Sequence, residues 1–246
     1  MTKSIFTFFI VLFILSGCKS LQKTAQKDDS KEVQAQIDST QQVKDTVQVV
    51  IKDTIPTQEE VFIKIHPKKP DTISVIGVGD VMIGTNFPNE GYLPPDSGKY
   101  MLSSVAHVLR DADLTFGNQE GVILNEGGEA KSCSDPSLCY IFRSPEHLAR
   151  HYVDAGIDMM SLANNHAGDF GDTGRKNTMR VLDSLGIHHA GQLAQPFTIF
   201  EHERIKYGFV AFSPNNGTQS INDLEAAKAL IQHLDSLSDI IIVSFH

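Results

Sequence analysis

The residues of greatest chemical interest in this chain follow short hydrophobic segments in the sequence. They are two acids, two histidines and two asparagines: Asp80, Asn118, Glu120, Asn165, His166 and His246. Carboxylate and amide oxygens together with imidazole nitrogen suit zinc, manganese, iron or magnesium. A divalent cation held by such a set acidifies water and neutralises charge on a phosphoryl or carbonyl oxygen, and a neighbouring histidine can donate to a leaving group. These residue types therefore indicate a metal site that could support hydrolysis.

The segments in front of these residues alternate between strand and helix patterns. Short apolar runs predict strands over 73–78, 114–116, 157–162 and 239–246, and a hairpin over 197–200 and 207–212. Apolar residues at helical spacing predict helices over 101–110, 145–155, 172–185 and 224–237. Such alternation is typical of a layered α/β domain, whose ligands bind beyond the carboxyl ends of the strands. We therefore expect the polar residues at the strand ends to meet at one edge of the sheet.

Three blocks of this sequence resemble the CapA family of capsule synthesis proteins. The first is Gly-Asp-Val-Met at 79–82, the second spans 111–121, and the third spans 155–166 and ends in Ala-Asn-Asn-His. The stretch 161–171 is the most specific part, and the resemblance extends over 73–246. It implies a calcineurin-like metallophosphoesterase fold, which is a layered αββα sandwich. It also implies a role in poly-γ-glutamate capsule synthesis or export.

The resemblance also implies roles for individual residues. Asp80 takes the first metal-ligand position, and Asn118 or Glu120 takes the second. Asn165 is implied as a further ligand and His166 as the neighbouring catalytic histidine. The segment 243–246, which ends in His246, is similar to the start of the next block of the family. His246 is therefore also expected to hold the metal.

Two positions depart from the pattern of ordinary two-metal phosphoesterases. Those enzymes have a histidine where this chain has Met82 and an aspartate where it has Asn118. The loss of two ligands leaves one, two or no divalent cations as the alternatives, with the identity of the metal open. The last predicted strand also ends at His246 without a closing element, so we expect this sequence to be truncated at its C-terminus.

The N-terminal residues predict export and a lipid anchor. Lys3 precedes an apolar run that is too short to cross a bilayer, and small residues then lead to Cys18. This pattern resembles the lipobox of bacterial lipoproteins, so 1–17 is interpreted as a signal peptide and Cys18 as the lipidated first residue of the mature protein. The alternative is an uncleaved anchor with an incidental cysteine. Both interpretations place the protein in the cell envelope, held to a membrane.

A polar segment over 18–70 separates this anchor from the folded domain, which is predicted over 71–246. The segment is rich in Gln, Lys, Asp, Thr and Ser and is interpreted as a flexible tether. Within the domain, Cys133 and Cys139 bracket a turn-forming stretch. Because an exported chain enters an oxidising compartment, we expect a local disulfide between them.

Charge excludes one class of partner and leaves two functional hypotheses. The whole chain carries −9, while 71–246 carries 11 Lys and Arg against 22 Asp and Glu. This acidic balance disfavours nucleic-acid binding and repels a long polyanion unless bound metal reverses the local field. The first hypothesis is a metal-dependent hydrolase acting on a phosphoester or a γ-glutamyl bond. The second is a non-catalytic component that binds polymer or partner proteins of a capsule export assembly, which Met82 and Asn118 favour because they weaken metal binding.

Overall fold

The computed structural model describes residues 69–246. The signal peptide predicted over 1–17, the lipidation site Cys18 and all but the last two residues of the tether predicted over 18–70 lie outside the described residues. Within 69–246, no helix combines the length and the apolar character needed to cross a bilayer.

Nine strands and four α-helices make up the described part of the chain. The strands are β1 (Val75–Val81), β2 (Leu114–Gln119), β3 (Val122–Ile123), β4 (Arg143–Ser144), β5 (Met159–Ser161), β6 (His188–Ala190), β7 (Phe197–His202), β8 (Ile205–Phe212) and β9 (Ile240–Phe245). The helices are α1 (Ser103–Leu109), α2 (Arg150–Ala155), α3 (Gly171–Leu185) and α4 (Leu224–Asp235).

The strands form two larger sheets and one short pair. Sheet 1 has the order β1-β2-β5-β6, and all its strands are parallel. Sheet 2 has the order β7-β8-β9, with β7 antiparallel to β8 and β9 parallel to β8. The short pair β3-β4 is also parallel. Because sheet 1 is entirely parallel, the carboxyl ends of β1, β2 and β5 lie at the same edge.

Adjacent methionines of β5 show how the layers are built. Successive side chains of a strand point to opposite faces of its sheet. Met160 packs into the core between sheet 1 and the helices, together with Tyr152 of α2 and Leu182 of α3. Met159 points the other way, into the core between the two sheets, where it shares a cluster with Phe209 of β8.

The opposite face of sheet 2 is covered by α4. Val210 and Phe212 of β8 pack there against Ala227 and Leu234 of this helix. The side chain of Asp223 accepts a hydrogen bond from the Ala226 N–H at 3.0 Å and so caps the first turn. The order of layers is helix, sheet, sheet, helix, which confirms the predicted αββα sandwich.

The structure changes the details of several predicted elements. The helix predicted over 145–155 begins as a 3₁₀ turn, Glu146–Ala149, because the Leu148 N–H donates to the carbonyl of Pro145 three residues earlier. Strand β2 extends beyond the predicted 114–116 to Gln119. The pair β3-β4 was not predicted, since two-residue strands leave no periodic pattern.

Candidate functional site

Three of the predicted metal ligands meet at the carboxyl edge of sheet 1. Asp80 lies in β1, Glu120 follows β2 and His246 follows β9. One ligand atom from each of these side chains lies within 4.8 Å of the others. The Nε2 atom of His246 is 3.7 Å from Asp80 Oδ1 and 3.8 Å from Glu120 Oε2. Two sheets therefore contribute to one cluster, which we call the carboxyl-end cluster.

Asn118 lies between the two carboxylates and contacts both. Its Nδ2 donates to Asp80 Oδ1 at 2.8 Å and to Glu120 Oε2 at 3.1 Å. Its Oδ1 accepts from Asn164 Nδ2 at 3.1 Å. In this orientation Asn118 presents hydrogens, rather than an oxygen, to the centre of the cluster.

The amide of Asn164 determines this orientation. Its Nδ2 donates to the carbonyl of Gln119 at 2.8 Å, and its Oδ1 accepts from the His166 N–H at 2.9 Å. A carbonyl can only accept and a backbone N–H can only donate, so these two main-chain groups fix which end of the amide is which. Asn118 must then direct its Oδ1 towards Asn164 and its Nδ2 towards the acids. Its predicted role as a metal ligand requires both amides to turn over.

His166 lies beside Glu120 and is oriented by a buried acid. Its Nδ1 is 2.8 Å from Asp169 Oδ2, and its Nε2 is 3.6 Å from Glu120 Oε1. The carboxylate of Asp169 is fully buried; it also accepts from the Phe142 N–H at 2.6 Å and pairs with Lys131 Nζ at 2.5 Å. Lys131 Nζ also lies 3.2 Å from Nδ1, so this ion pair engages Nδ1 and Nε2 is the nitrogen that faces the cluster.

Asn165 lies next to the cluster but its predicted role stays a prediction. The residue is exposed, and its main-chain carbonyl accepts a long hydrogen bond of 3.5 Å from Lys131 Nζ. Among the hydrogen bonds within residues 69–246, none involves its carboxamide. Its neighbour Asn164, which the sequence analysis did not select, is buried and connects the strand ends instead.

The electrostatics of Glu120 follow from its crowded surroundings. Burial raises the pKa of this carboxyl, and the nearby charge of Asp80 raises it further. His166, His246 and the Asn118 amide oppose this rise. Two acids that repel each other in a partly buried site are stabilised by a positive charge between them. The donor set of two carboxylates and an imidazole therefore fits a divalent cation of the zinc or manganese type.

The sequence analysis missed three supporting residues: Lys131, Asn164 and Asp169. Asp169 follows His166 by three residues in the same loop, a spacing that gives a signal only after the histidine has been identified. Asn164 and Asn165 are adjacent residues of the same type, so the sequence does not tell which one faces inward. Lys131 lies 35 residues away from His166 along the chain, and no local pattern connects them.

The predicted disulfide lies close to this site. Cys133 and Cys139 are joined with an S–S distance of 2.10 Å and a Cα–Cα distance of 5.6 Å. The loop that they close begins two residues after Lys131, whose N–H donates to the Asp169 carbonyl at 2.8 Å. The disulfide therefore restrains the chain next to the residues that hold His166.

A cavity of about 690 Å³ lies elsewhere, beside α1 and α2. Its wall includes Lys99, Arg110 and Arg150 but none of the residues of the carboxyl-end cluster. Volume alone does not indicate chemistry, whereas the strand-end cluster combines acids, imidazoles and a perturbed pKa. We therefore take the carboxyl-end cluster, with His166 and Asp169, as the candidate active site.

Comparison with protein families gives one match over nearly all of the described domain. The model of the family described as bacterial capsule synthesis protein PGA_cap matches residues 74–246. The capsule biosynthesis protein CapA of Bacillus anthracis is 22% identical over 143 residues, which is 58% of this chain and 34% of that protein. The uncharacterized protein y4sH of Sinorhizobium fredii is 34% identical over 122 residues, or 49% of this chain and 25% of that protein. The chain thus spans a quarter to a third of the length of these curated relatives.

Two solved structures share a low overall similarity with the chain. A hypothetical protein from Thermus thermophilus has a TM-score of 0.40 at 19% identity, covering 70% of this chain and 57% of that one. A candidate 5'-nucleotidase from Staphylococcus aureus, in complex with alpha-ketoglutarate, also has a TM-score of 0.40, at 18% identity and with coverages of 70% and 36%.

Proposed function

The chain belongs to the PGA_cap family of bacterial capsule synthesis proteins, and we propose that its domain acts in capsule biosynthesis as a metal-dependent hydrolase. The observation that supports this most directly is the carboxyl-end cluster of Asp80, Glu120 and His246. A metal-dependent hydrolytic site needs a cation, a group that exchanges protons and a fixed geometry between them. His166 and Asp169 would supply the proton exchange. The buried amides of Asn118 and Asn164 would fix the geometry.

The proposed role of each residue follows from its contacts. Asp80, Glu120 and His246 would hold the cation, which supplies charge neutralisation on a phosphoryl or carbonyl oxygen and acidifies water. Asp169 contacts Nδ1 of His166 and so keeps Nε2 directed at the cluster. Nε2 would take a proton from the attacking water and pass it to the departing oxygen or nitrogen of the substrate, so the ring starts and ends neutral. Asn118 keeps the two carboxylates at a fixed separation through its paired hydrogen bonds.

The proposed substrate carries a phosphoester or a γ-glutamyl bond, as in a poly-γ-glutamate capsule. Residues 71–246 carry a net charge of −11. A long polyanion is therefore attracted only where a cation or a local patch reverses the field. We further propose that Cys18 is lipidated and anchors the domain to the outer side of an envelope membrane, within reach of capsule synthesis or export proteins.

Metal content is the first measurement that tests this proposal. The full chain would be purified without a tag, stripped with a chelator, reloaded with zinc or manganese and analysed for metal beside Asp80→Ala. We expect at least about one equivalent that depends on Asp80, because one compact cluster of three ligands binds one ion. Loaded protein should then hydrolyse a phosphodiester reporter or a γ-glutamyl peptide. Equal metal content in the two proteins, together with no hydrolysis of either substrate, would contradict the proposal.

A second candidate function is a non-catalytic component that binds polymer or partner proteins. The observation in its favour is the orientation of Asn118, which offers hydrogens at a position where a metal needs an oxygen. Met82, at the position where a histidine is expected in two-metal enzymes, has 44% of its surface exposed and no imidazole to offer. Oligo-γ-glutamate binding that persists in chelator and in Asp80→Ala would support this function over hydrolysis.

A further inference from the structure

A second group of acid and imidazole side chains lies at the opposite end of β2. Asp113 immediately precedes the strand, while His202 and Glu203 lie where β7 turns into β8. One ligand atom from each of these three side chains lies within 4.8 Å of the others. Glu120 is seven residues further along the chain, which corresponds to about 20 Å of extended strand. This amino-end cluster is therefore separate from the candidate active site.

Asp113 is held in place by Ser74, the residue before β1. Its Oδ2 accepts from the Ser74 N–H at 2.6 Å and from the Ser74 hydroxyl at 2.8 Å, and its own N–H donates to that hydroxyl at 3.0 Å. These hydrogen bonds lower the pKa of the Asp113 carboxyl, so the group is ionised at neutral pH. Both bonds from Ser74 go to Oδ2, which leaves Oδ1 for a further partner.

The hairpin turn brings the other two side chains to this point. His202 is paired with Ile205 at the end of the antiparallel ladder, so Glu203 and Arg204 alone form the turn. Both have positive φ angles, 48° and 68°, as the tight two-residue turn requires. The ladder therefore fixes His202 and Glu203 at the rim of sheet 2, close to Asp113, the residue that precedes β2 in sheet 1.

The buried hydroxyl of Tyr207 is a second observation at this end of β2. Its side chain is fully buried in the core between the two sheets, beside Leu114, the residue that follows Asp113. Its hydroxyl has no hydrogen-bond partner within the described residues. Burial raises the pKa of this phenol, and the charges of Asp113 and Glu203 raise it further. A buried hydroxyl without a protein partner is the kind of group that an ion or an ordered water satisfies, and this one lies in the same core cluster as the residue that follows Asp113.

We propose that Asp113, His202 and Glu203 bind a divalent cation that joins the β7-β8 hairpin to sheet 1. The imidazole selects the class of ion, because calcium and magnesium prefer oxygen ligands whereas zinc and manganese accept nitrogen with carboxylates. The ligands come from both sheets, so the ion stabilises the contact between the layers. Its role is structural, since it joins the two layers and lies at the other end of β2 from the proposed active site.

Zinc binding by the full chain and its variants tests this site. Metal-free wild type, His202→Ala, His246→Ala and the double variant would be titrated with zinc and counted by native mass spectrometry. We expect His202→Ala to remove one equivalent in both the wild-type and the His246→Ala background. His107→Ala is the matched control, because His107 is an exposed helical histidine outside both clusters, and it should keep the parental count.

Two further measurements keep the test independent of folding and of the proposed function. Glu203→Gln preserves the shape of the turn residue and should weaken zinc binding at this site at least tenfold. Zinc at a hundredfold excess over its dissociation constant should raise the unfolding midpoint of His246→Ala by about 5–10 °C, and this rise should vanish in the double variant. Zinc counts that do not respond to His202→Ala, or an equal rise in the double variant, would overturn the proposal whether or not the carboxyl-end cluster is catalytic.

Discussion

The two ends of β2 carry the same three residue types in different surroundings. At the carboxyl end, Glu120 has only 9% of its side chain exposed, while Asp80 and His246 are exposed. At the amino end, Asp113 and His202 are half-buried and Glu203 is exposed. The enclosed carboxyl of Glu120 has a raised pKa and lies beside the buried pair of His166 and Asp169, so the first arrangement is suited to chemistry, whereas we propose that the second holds two sheets together. Residue type alone does not distinguish the two functions.

The residues that orient the ligands are also more deeply buried at the carboxyl end than at the amino end. At the carboxyl end, Asn118 and Asn164 form a buried chain of amides that ends on main-chain groups, and Asp169 fixes the imidazole of His166. At the amino end, the support comes from Ser74, a surface residue, and from the hairpin turn. Groups that orient metal ligands typically change affinity or activity 10–100-fold when they are removed. We therefore expect the larger mutational effects at the carboxyl end.

The largest effect should come from the matched pair Glu120→Gln and Glu203→Gln. Glu120→Gln removes one of two carboxylates of the carboxyl-end cluster and should reduce cation-dependent hydrolysis by about 100-fold or more. Because burial and Asp80 raise the pKa of Glu120, its ionised form costs stability as the pH rises above the ordinary value of 4.5. The metal-free Glu120→Gln protein should therefore be at least as stable as wild type at pH 7.

Activity assays measure the loss of hydrolysis, and thermal unfolding in chelator measures the stability of the metal-free protein. Glu203 is exposed, so Glu203→Gln should change the unfolding midpoint only when zinc is present. A Glu120→Gln protein that keeps full hydrolysis would remove the functional difference between the two ends of the strand.

Asp169→Asn should have the next largest effect. The change leaves the buried side chain the same size but removes the charge that pairs with Lys131 and His166. Breaking one side of a buried ion pair typically destabilises a protein by about 3 kcal/mol, which urea unfolding would measure. The side-chain oxygen that remains can still accept from His166 Nδ1, but it carries no charge, so hydrolysis should also fall, by about 10–100-fold. Unchanged stability with unchanged hydrolysis would show that Asp169 does not position the histidine.

Asn164→Ala should have a smaller effect, confined to the amide chain. The substitution removes three hydrogen bonds of the Asn164 side chain, to Asn118, to the Gln119 carbonyl and to the His166 N–H. Buried groups left without partners cost about 2 kcal/mol in total after relaxation. The Asn118 amide is then free to turn its oxygen towards the acids, so cation affinity should change while Asp80 and Glu120 stay in place. Calorimetric titration with zinc or manganese measures this affinity, and an unaltered value would mean that Asn164 does not set the orientation of Asn118.

The strand-end residues of the candidate site could be predicted because topology brings them together. Buried parallel strands end at one edge, so polar residues behind hydrophobic runs meet there, as Asp80, Glu120 and His246 do. The direction of the Asn118 amide could not be predicted, because it depends on a neighbour whose own direction is fixed by two main-chain groups. Asp169 lies within the family-specific stretch 161–171. It lies in a loop, however, where no periodicity indicates which side chains point inward.

The amino-end cluster could not be predicted from the sequence, for a different reason. The hairpin itself was predicted, over 197–200 and 207–212, but not the way in which its turn faces the other sheet. Asp113 and His202 are 89 residues apart, and the packing of sheet 2 against sheet 1 brings them together. Alternation predicts layers, while the relative placement of two sheets depends on how side chains such as Phe116 and Phe209 interlock between them.

The smallest expected effect is a pH dependence of folding stability. It arises from His188 at the start of β6, at the amino end of sheet 1. Its ring stacks on Phe200 with 4.0 Å between centroids, and Phe200 stacks in turn on Tyr207. Burial lowers the pKa of this histidine below its ordinary 6.5, and His189 lowers it further, while Asp158 opposes the shift.

The unfolded chain therefore takes up a proton at His188 before the folded protein does as the pH falls. It binds more protons in the window from about 6.5 down to the lowered pKa, so the folded state loses stability across that window. His188→Phe keeps the stacked ring and removes the titrating group, and it should flatten this part of the stability profile. His107→Phe is the matched control and should retain the wild-type slope. Urea unfolding between pH 5 and pH 7.5 gives both slopes, and a slope in His188→Phe equal to that of wild type would show that the ring stack at the amino end does not resist protonation.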